Sequence, residues 1–478
     1  MRMNSPLSWR TPAGFALVLA TLLFCPVNSA FSQTQEPTPQ TPEVEQLKKR
    51  LQQLEQTVTE LKGQIDAIEA KKKNPAPVIV DATYTEPATP ADTAPAKPQD
   101  DGKGESTFQI YGFAMLDAGY QFKQNHPDWF DVIRPTKLPS FPNEFAPNGK
   151  TYFGVRQSRL GVKSTTPTKY GELKTQFEFE LFGTGVDAGQ TTFRLRHAYG
   201  ELGQFGAGQT WSPFMDIDVF PNSLEYWGPN GMVFFRNLQF RWMPLKGRNS
   251  VTLALERPGA SGDQGVFADR IELQGIRPKF DLPDLSGNVR FTRDWGYFQV
   301  AGMLRRIKWV DTIDDAFDLG GTETGAGLNF TSNLKFTKND TGRFAFVFGQ
   351  GIQNYMNDAP VDVGIELTPG GDPRRPIKGV ALPMWSMVAF LDHNWNKRFS
   401  TAVGYSFMDI DNSNGQAANA YHRGHYGLGN LLFYPTENVM VGGELQWGRR
   451  ENFLDGFKSD DFRIQFSFKY NFSKTFTF

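Results

Sequence analysis

The sequence predicts an all-β transmembrane β-barrel of about 16 antiparallel strands, preceded by an N-terminal α-helical coiled coil and a disordered linker. Apolar and polar residues alternate with period two from Thr107 to the C-terminus, most clearly between Leu173 and Leu181. Barrel strands of this kind turn apolar side chains toward lipid and polar side chains toward a lumen. The 47 glycines and 42 phenylalanines also favour β structure. No apolar run reaches the roughly 18 residues that a membrane-spanning helix requires.

Residues 1–32 have the pattern of a secretory signal peptide. Two arginines precede an apolar stretch at 13–24, and small residues provide a cleavage point after Ala30 or Ser32. The single cysteine, Cys25, would be removed with the peptide, so we expect no disulfide in the exported chain. The net charge of -1 and the lack of a basic stripe argue against a nucleic-acid partner.

Residues 43–70 are predicted to form a coiled-coil oligomerisation helix. Apolar residues recur there in an unbroken heptad pattern. They are Val44, Leu47, Leu51, Leu54, Val58, Leu61, Ile65 and Ile68. Because this stripe is too narrow for ordinary packing on the chain's own surface, it favours self-association, without deciding between two and three helices. Residues 71–106, rich in Pro and Ala, follow as a disordered linker.

Residues 107–478 carry the barrel signal, in which short polar turns alternate with long connections. The short turns include 167–171, 293–296, 338–342, 396–400 and 435–438, and the long connections include 123–150, 258–283 and 355–383. This asymmetry is typical of periplasmic turns and extracellular loops. An even strand count places both ends of the barrel, and therefore the coiled coil, on the periplasmic side. A soluble β-sandwich would not explain an aromatic face on almost every strand.

One irregular segment, residues 211–231, interrupts the alternation and is called the inserted loop. We expect it to fold into the lumen and constrict it. Its candidate constriction residues are Trp211, Phe214, Asp216, Asp218, Glu225, Tyr226 and Trp227. The aromatic residues either pin the loop to the wall, which we favour, or line a path for a sugar or aromatic solute.

The alternation also assigns a set of cations to the lumen, where they would line the pore and set its selectivity. They are Arg159, Lys163, Arg194, Arg196, Arg241, Arg290, Arg305 and Arg463. Arginines facing the loop's acidic residues would create a transverse field that draws anions along the basic side. The alternative is that several arginines pair with Glu178, Glu180 or Glu444 and only stiffen the wall.

Several segments resemble the DcaP-like trimeric porins of the Gram-negative outer membrane. They are Tyr111–Asp117, Arg156–Lys163, Phe193–Tyr199 and Gly208–Phe214. The order of the regions along the chain, signal peptide, coiled coil, linker and barrel, is also that of the family. The resemblance implies a sixteen-stranded barrel, a homotrimer in the outer membrane, and diffusion of small anionic solutes such as dicarboxylates, without a cofactor. It also implies that the terminal Phe478 is the signal read by the barrel-assembly machinery.

Other classes of function fit less well. No Ser lies in a Gly-x-Ser-x-Gly turn, and His422 and His425 lie three apart on a strand, which points them to opposite faces. We therefore expect neither catalysis nor a metal site. A sugar-type porin remains an alternative, as does a structural outer-membrane anchor. In the anchor, the coiled coil and the lysines at 71–73 would reach the cell-wall polymer while the barrel contacts membrane lipid.

Overall fold

The computed structural model describes residues 104–478. The predicted signal peptide, the coiled-coil seam and nearly all of the predicted linker lie outside the described residues. Within them, twenty strands are numbered here in chain order. They are β1 Thr107–Gln121, β2 Lys150–Gly154, β3 Arg159–Thr168, β4 Gly171–Phe182, β5 Thr191–Leu202, β6 Phe205–Trp211, β7 Arg236–Leu245, β8 Ser250–Glu256, β9 Ile276–Pro278, β10 Asp284–Arg293, β11 Gly296–Asp311, β12 Gly321–Lys335, β13 Asp340–Gln350, β14 Val363–Leu367, β15 Ile377–Ala381, β16 Pro383–Asn394, β17 Phe399–Ile410, β18 Tyr421–Thr436, β19 Val439–Asn452 and β20 Lys458–Thr477.

The helical content of residues 104–478 is confined to short 3₁₀ turns in the connections. They are Pro127–Trp129, Pro135–Lys137, Gly185–Asp187, Ile217–Val219, Gly265–Phe267, Ile271–Gly275 and Gln353–Tyr355. In this part of the chain, no helix has the length and apolar character needed to cross a membrane.

Sixteen strands form one closed antiparallel barrel, which confirms the predicted barrel and its strand count; the coiled coil and the linker of the predicted fold class stay predictions. Each barrel strand pairs with its neighbours along the chain, and β1 closes the ring by pairing with β20 from Thr107↔Thr477 to Gln121↔Arg463. The remaining four strands are accessory. β2 pairs with the upper part of β1, β9 with the end of β11, and β14 with β15 in a separate hairpin.

The connections alternate in length as predicted. At one end of the barrel, β3 and β4 are joined by Lys169 and Tyr170 alone, and β10 and β11 by Asp294 and Trp295 alone. The first and last strands also begin and end there, because the backbone N–H of Phe478 donates to the carbonyl of Ser106 at 2.9 Å. At the other end lie long connections. Following the outer-membrane pattern, the short-turn end is the periplasmic end.

The two faces of the wall have opposite chemistry. Large apolar side chains are exposed on the outside, including Phe177, Leu445 and Phe466. Polar side chains such as Glu180 and Gln465 are buried on the inside. An apolar exterior and a polar interior suit a wall that has lipid on one side, so the polar chemistry of the molecule is concentrated inside the barrel.

Candidate functional site: the interior of the barrel

The inserted loop connects β6 to β7 and lies inside the barrel, where its aromatic side chains are buried. The ring of Tyr226 stacks on Phe182 of β4 with centroids 3.7 Å apart, and Trp227 meets Trp129 edge-on at 4.7 Å. Phe214 is fully buried and contacts the ring of Tyr355 with a centroid distance of 6.2 Å. These contacts hold the loop against the wall and against neighbouring loops, as expected of aromatic residues that pin the loop.

The first half of the inserted loop is fixed by its acidic residues. Asp216 accepts hydrogen bonds from Arg290 at 2.5 Å and from Tyr297 at 2.7 Å. Asp218 accepts one from the other terminal nitrogen of Arg290 at 2.5 Å. The backbone carbonyl of Asp218 accepts from Arg343 of β13. Arg290 therefore does not face these carboxylates across an open lumen; it binds them directly.

The second half of the loop is held on the opposite part of the wall by Glu444 and Arg463. The carboxylate of Glu444 accepts the backbone N–H groups of Leu224 at 2.7 Å and Glu225 at 3.0 Å. Arg463 lies 3.6 Å from the carboxylate of Glu225. Glu444, considered above as a partner for an arginine, thus holds the loop backbone instead.

An arginine cluster lies beside the loop on β3, β4, β5 and the start of β7. Arg196 contacts Glu178 at 2.5 Å and Glu180 at 2.6 Å. Arg159, Arg194 and Arg236 approach Glu180 at 3.4, 3.6 and 3.7 Å. Each of these side chains is at most 5% exposed. The cluster thus holds four guanidinium groups around two carboxylates.

Arg194 differs from the rest of the arginine cluster in its hydrogen bonds. Its side chain is 4% exposed, yet among the described residues neither of its terminal nitrogens has a hydrogen-bond partner. A buried donor without a partner is costly. These two nitrogens are therefore the donors in the cluster best suited to an anion or a water molecule.

An acidic cluster occupies a different part of the wall, where β8, β10 and β11 meet the 351–382 connection. Arg305 lies 3.3 Å from Asp284 and 3.1 Å from Asp362. Glu256 is the register partner of Asp284 and accepts from Ser212 at 2.6 Å. Here one guanidinium group contacts two carboxylates, and a third carboxylate lies next to one of them.

The remaining predicted cations lie nearer the periplasmic end. Lys163 is exposed, and its ammonium lies 4.5 Å from the centre of the Tyr111 ring. Arg241 is half-buried and donates to Gln239 and to the carbonyl of Trp211. The eight predicted cations are therefore spread over several parts of the wall and do not form one continuous row. Their role in selectivity stays a prediction.

Sequence reasoning missed several charged residues of the interior. Arg343 precedes Phe344 on β13, bonds Asp392 at 2.6 Å and has the same inward parity as the predicted cations of other strands. Arg236 opens β7, where no alternation precedes it. Asp362 lies in a connection, where no periodicity exists to reveal it.

The extracellular side of the interior is built from the 122–149 and 351–382 connections. The guanidinium of Arg134 lies between the rings of Trp129 and Trp227, at 4.2 and 3.9 Å from their centres. It also bonds Asp358 at 2.9 Å. This arrangement ties both connections to the inserted loop. Within residues 104–478, no group of three metal-binding side chains was found.

A closed sixteen-stranded barrel with an apolar exterior, a charged interior and a loop folded inside it defines an outer-membrane porin. The chain belongs to the DcaP outer membrane protein family, whose model matches residues 53–472. The fold is similar to that of the outer membrane channel DcaP of Acinetobacter baumannii, with 19% identity and a TM-score of 0.63, over 78% of this chain and 99% of that one. The anion-selective porin from Comamonas acidovorans is similar at 11% identity and a TM-score of 0.50, over 77% and 100%. No curated protein sequence matches the chain.

Proposed function

We propose that this porin is a passive diffusion channel for small hydrophilic solutes that prefers anions such as dicarboxylates. The observation that carries the proposal is the arginine cluster, in which four guanidinium groups surround two carboxylates beside the inserted loop. In a low-dielectric wall this excess of positive charge raises the local concentration of anions. Guanidinium groups also match carboxylates bidentately. A fold relative, the Comamonas acidovorans porin, is anion-selective, which supports the same direction.

We propose a homotrimer as the working assembly. The heptad pattern at 43–70 favours self-association, and the family resemblance implies three copies. Three barrels in one particle would each conduct independently, so single insertions in a planar bilayer should give conductance steps in groups of three. Single steps from a particle of monomer mass would refute the trimer without touching the anion preference.

The anion preference is tested by the reversal potential of purified protein in a planar bilayer under a salt gradient. We expect an anion-sided potential for the natural protein and a roughly two- to fivefold lower anion-to-cation permeability ratio for Arg194→Ala with Arg196→Ala, because the local excess of positive charge is lost. Arg194→Gln is the milder variant, since it removes the charge without breaking a hydrogen bond from a terminal nitrogen.

Arg248→Ala is the matched control. This arginine lies in the short connection between β7 and β8 and bonds Asp294 at the exposed periplasmic surface. Its loss should leave the permeability ratio unchanged. An unchanged ratio in the Arg194 variants would remove that pair from the mechanism. A cation-sided potential in the natural protein would show that the carboxylates of the interior dominate selectivity.

A further inference from the structure

The lipid-facing wall carries a notch where two glycines meet. Gly287 of β10 is the register partner of Gly302 of β11, and both follow the outward parity of their strands. Leu253 flanks the notch on the neighbouring strand β8, and Leu285 and Leu304 lie above it, 46% and 52% exposed. Together they form a shallow apolar groove of about 420 Å³, called here the glycine groove. Its volume and apolar lining suit part of an acyl chain.

A basic rim lies above the glycine groove toward the extracellular end. Arg306 and Lys308 are the next outward positions of β11 after Leu304, and the backbone N–H of Lys279 bonds the carbonyl of Lys308 at 2.9 Å. At roughly 3.4 Å per strand residue, Arg306 is about 14 Å above Gly302. This separation matches a phosphorylated headgroup joined to an acyl chain.

The basic rim has an excess of positive charge. Arg306 and Lys308 share a single carboxylate, Asp281, at 3.5 and 3.1 Å, and Lys279 is exposed beside them. Cations at the membrane surface attract anionic lipid, and each raises the affinity by a factor of about five. Arginine in addition matches the oxygen geometry of a phosphate group.

A second outward groove shows that an apolar notch alone does not make this site. It lies on β17 to β20 over Gly427, Gly429 and Gly443 and has a volume of about 690 Å³. Three cations near it meet two carboxylates: Arg423 bonds Asp409 at 2.8 Å, and Arg449 and Lys458 share Glu451 at 3.1 and 3.0 Å. The excess of positive charge is therefore smaller than at the basic rim, where three cations share one carboxylate, and this groove offers less to a phosphate group.

We propose that the glycine groove and the basic rim bind a phosphorylated glycolipid of the outer leaflet, with an acyl chain over Gly287 and Gly302 and a phosphate group on Arg306 and Lys308. The site lies on the outside of the barrel and is independent of the solute path. It therefore stands or falls separately from the proposed anion preference.

The test uses the full-length protein refolded in detergent and titrated with bis-phosphorylated lipid A, with bound lipid counted by native mass spectrometry. We expect Arg306→Gln with Lys308→Gln to weaken binding about 30-fold, as two lost contacts of this kind imply. Lipid A without its phosphates should bind the natural protein about as weakly as bis-phosphorylated lipid A binds the variant. It should also bind the natural protein and the variant equally. Conductance of the variant should be unchanged, which shows that it has folded.

Two groove variants separate the acyl chain from the charge. At Gly302 an added Cβ meets the flexible end of Leu328 at 3.4 Å and the carbonyl oxygen of Gly327 at 3.8 Å, so Gly302→Leu should fold, fill the notch and weaken binding at least threefold. Gly429→Leu, which fills the second groove, should have no effect. Equal binding by the natural protein and the Arg306/Lys308 variant would overturn the proposal. So would loss of oligomer in that variant, because this face would then be a contact between copies of the chain.

Discussion

The arginine cluster and the acidic cluster are both buried inside the same barrel, yet their charge balance is opposite. Glu178 and Glu180 are surrounded by four arginines, whereas Arg305 contacts both Asp284 and Asp362, and a third carboxylate, Glu256, lies opposite Asp284 in the register. Buried charges require compensation. In the arginine cluster the compensation leaves an excess of positive charge, and in the acidic cluster it leaves an excess of negative charge. The interior is therefore not a uniform basic surface. It has a part with excess arginine and a part with excess carboxylate, and we propose that the difference between them sets a field in the lumen.

The largest effect is expected from removing the carboxylate on which the arginine cluster converges. Glu180→Gln should lower the free energy of unfolding by about 3–5 kcal/mol, because buried arginines then lose their shared counter-charge. The measurement is urea unfolding of the refolded barrel. Glu172→Gln, at the exposed end of β4 beside Lys174, is the control and should change stability by less than about 0.5 kcal/mol. A loss below about 1 kcal/mol for Glu180→Gln would show that other groups balance the arginines.

A second prediction concerns Glu225, which belongs to the inserted loop rather than to a strand. Burial raises the pKa of this carboxyl from 4.5 to about 7, and Arg463 offsets the rise only in part. Between pH 4.5 and about pH 7, Glu225 has lost its proton in the unfolded chain but still holds it in the folded chain. The free energy of unfolding should therefore fall as pH rises from about 4.5 to about 7, and this contribution should then level off.

Comparison with Glu225→Gln isolates that contribution, since glutamine does not titrate. The natural protein should lose on the order of 2–3 kcal/mol more than the variant across this window. Thermal unfolding of both proteins at pH 5, 6, 7 and 8 provides the measurement. Parallel pH profiles would mean that Glu225 is ionised throughout, and the loop would then be held by a full ion pair to Arg463.

The alternation of the sequence was sufficient to predict the closed barrel of sixteen strands, because one face of every strand meets lipid. It also assigned Arg194 and Arg196 to the interior, where both are buried. The carboxylates of the loop, Glu178 and Glu180 were predicted as partners of the arginines, but the alternation could not match each arginine to its carboxylate, because that match depends on strand register and on where the loop folds. Arg290 illustrates this: its contacts, Asp216 and Asp218, lie more than 70 residues away.

Local irregularity explains a further part of what was missed. The pairing of β4 with β5 shifts register between Glu178 and Phe179, so that His197, next to Arg196, is also buried. Strict alternation would turn His197 outward. A bulge of this kind has no signature in the sequence, and the charges and aromatic contacts around it could not be derived from period two alone.

The finest test of the comparison uses one hydroxyl group in each cluster. Tyr355 donates to Asp284 at 3.1 Å in the acidic cluster, and Tyr226 donates to Glu180 in the arginine cluster. Tyr355→Phe should cost about 2 kcal/mol and Tyr226→Phe about 1 kcal/mol, because a buried carboxylate with few cations near it depends more on a neutral donor.

Urea unfolding of both variants, beside Tyr470→Phe on the exposed outer face as a control expected near zero, measures the difference. The order of the two costs matters more than their size. If Tyr226→Phe proves the more costly, the carboxylates of the arginine cluster are not saturated by their guanidinium groups. The two parts of the interior would then have more similar charge than their composition implies, and the transverse field, with the anion preference that depends on it, would weaken accordingly.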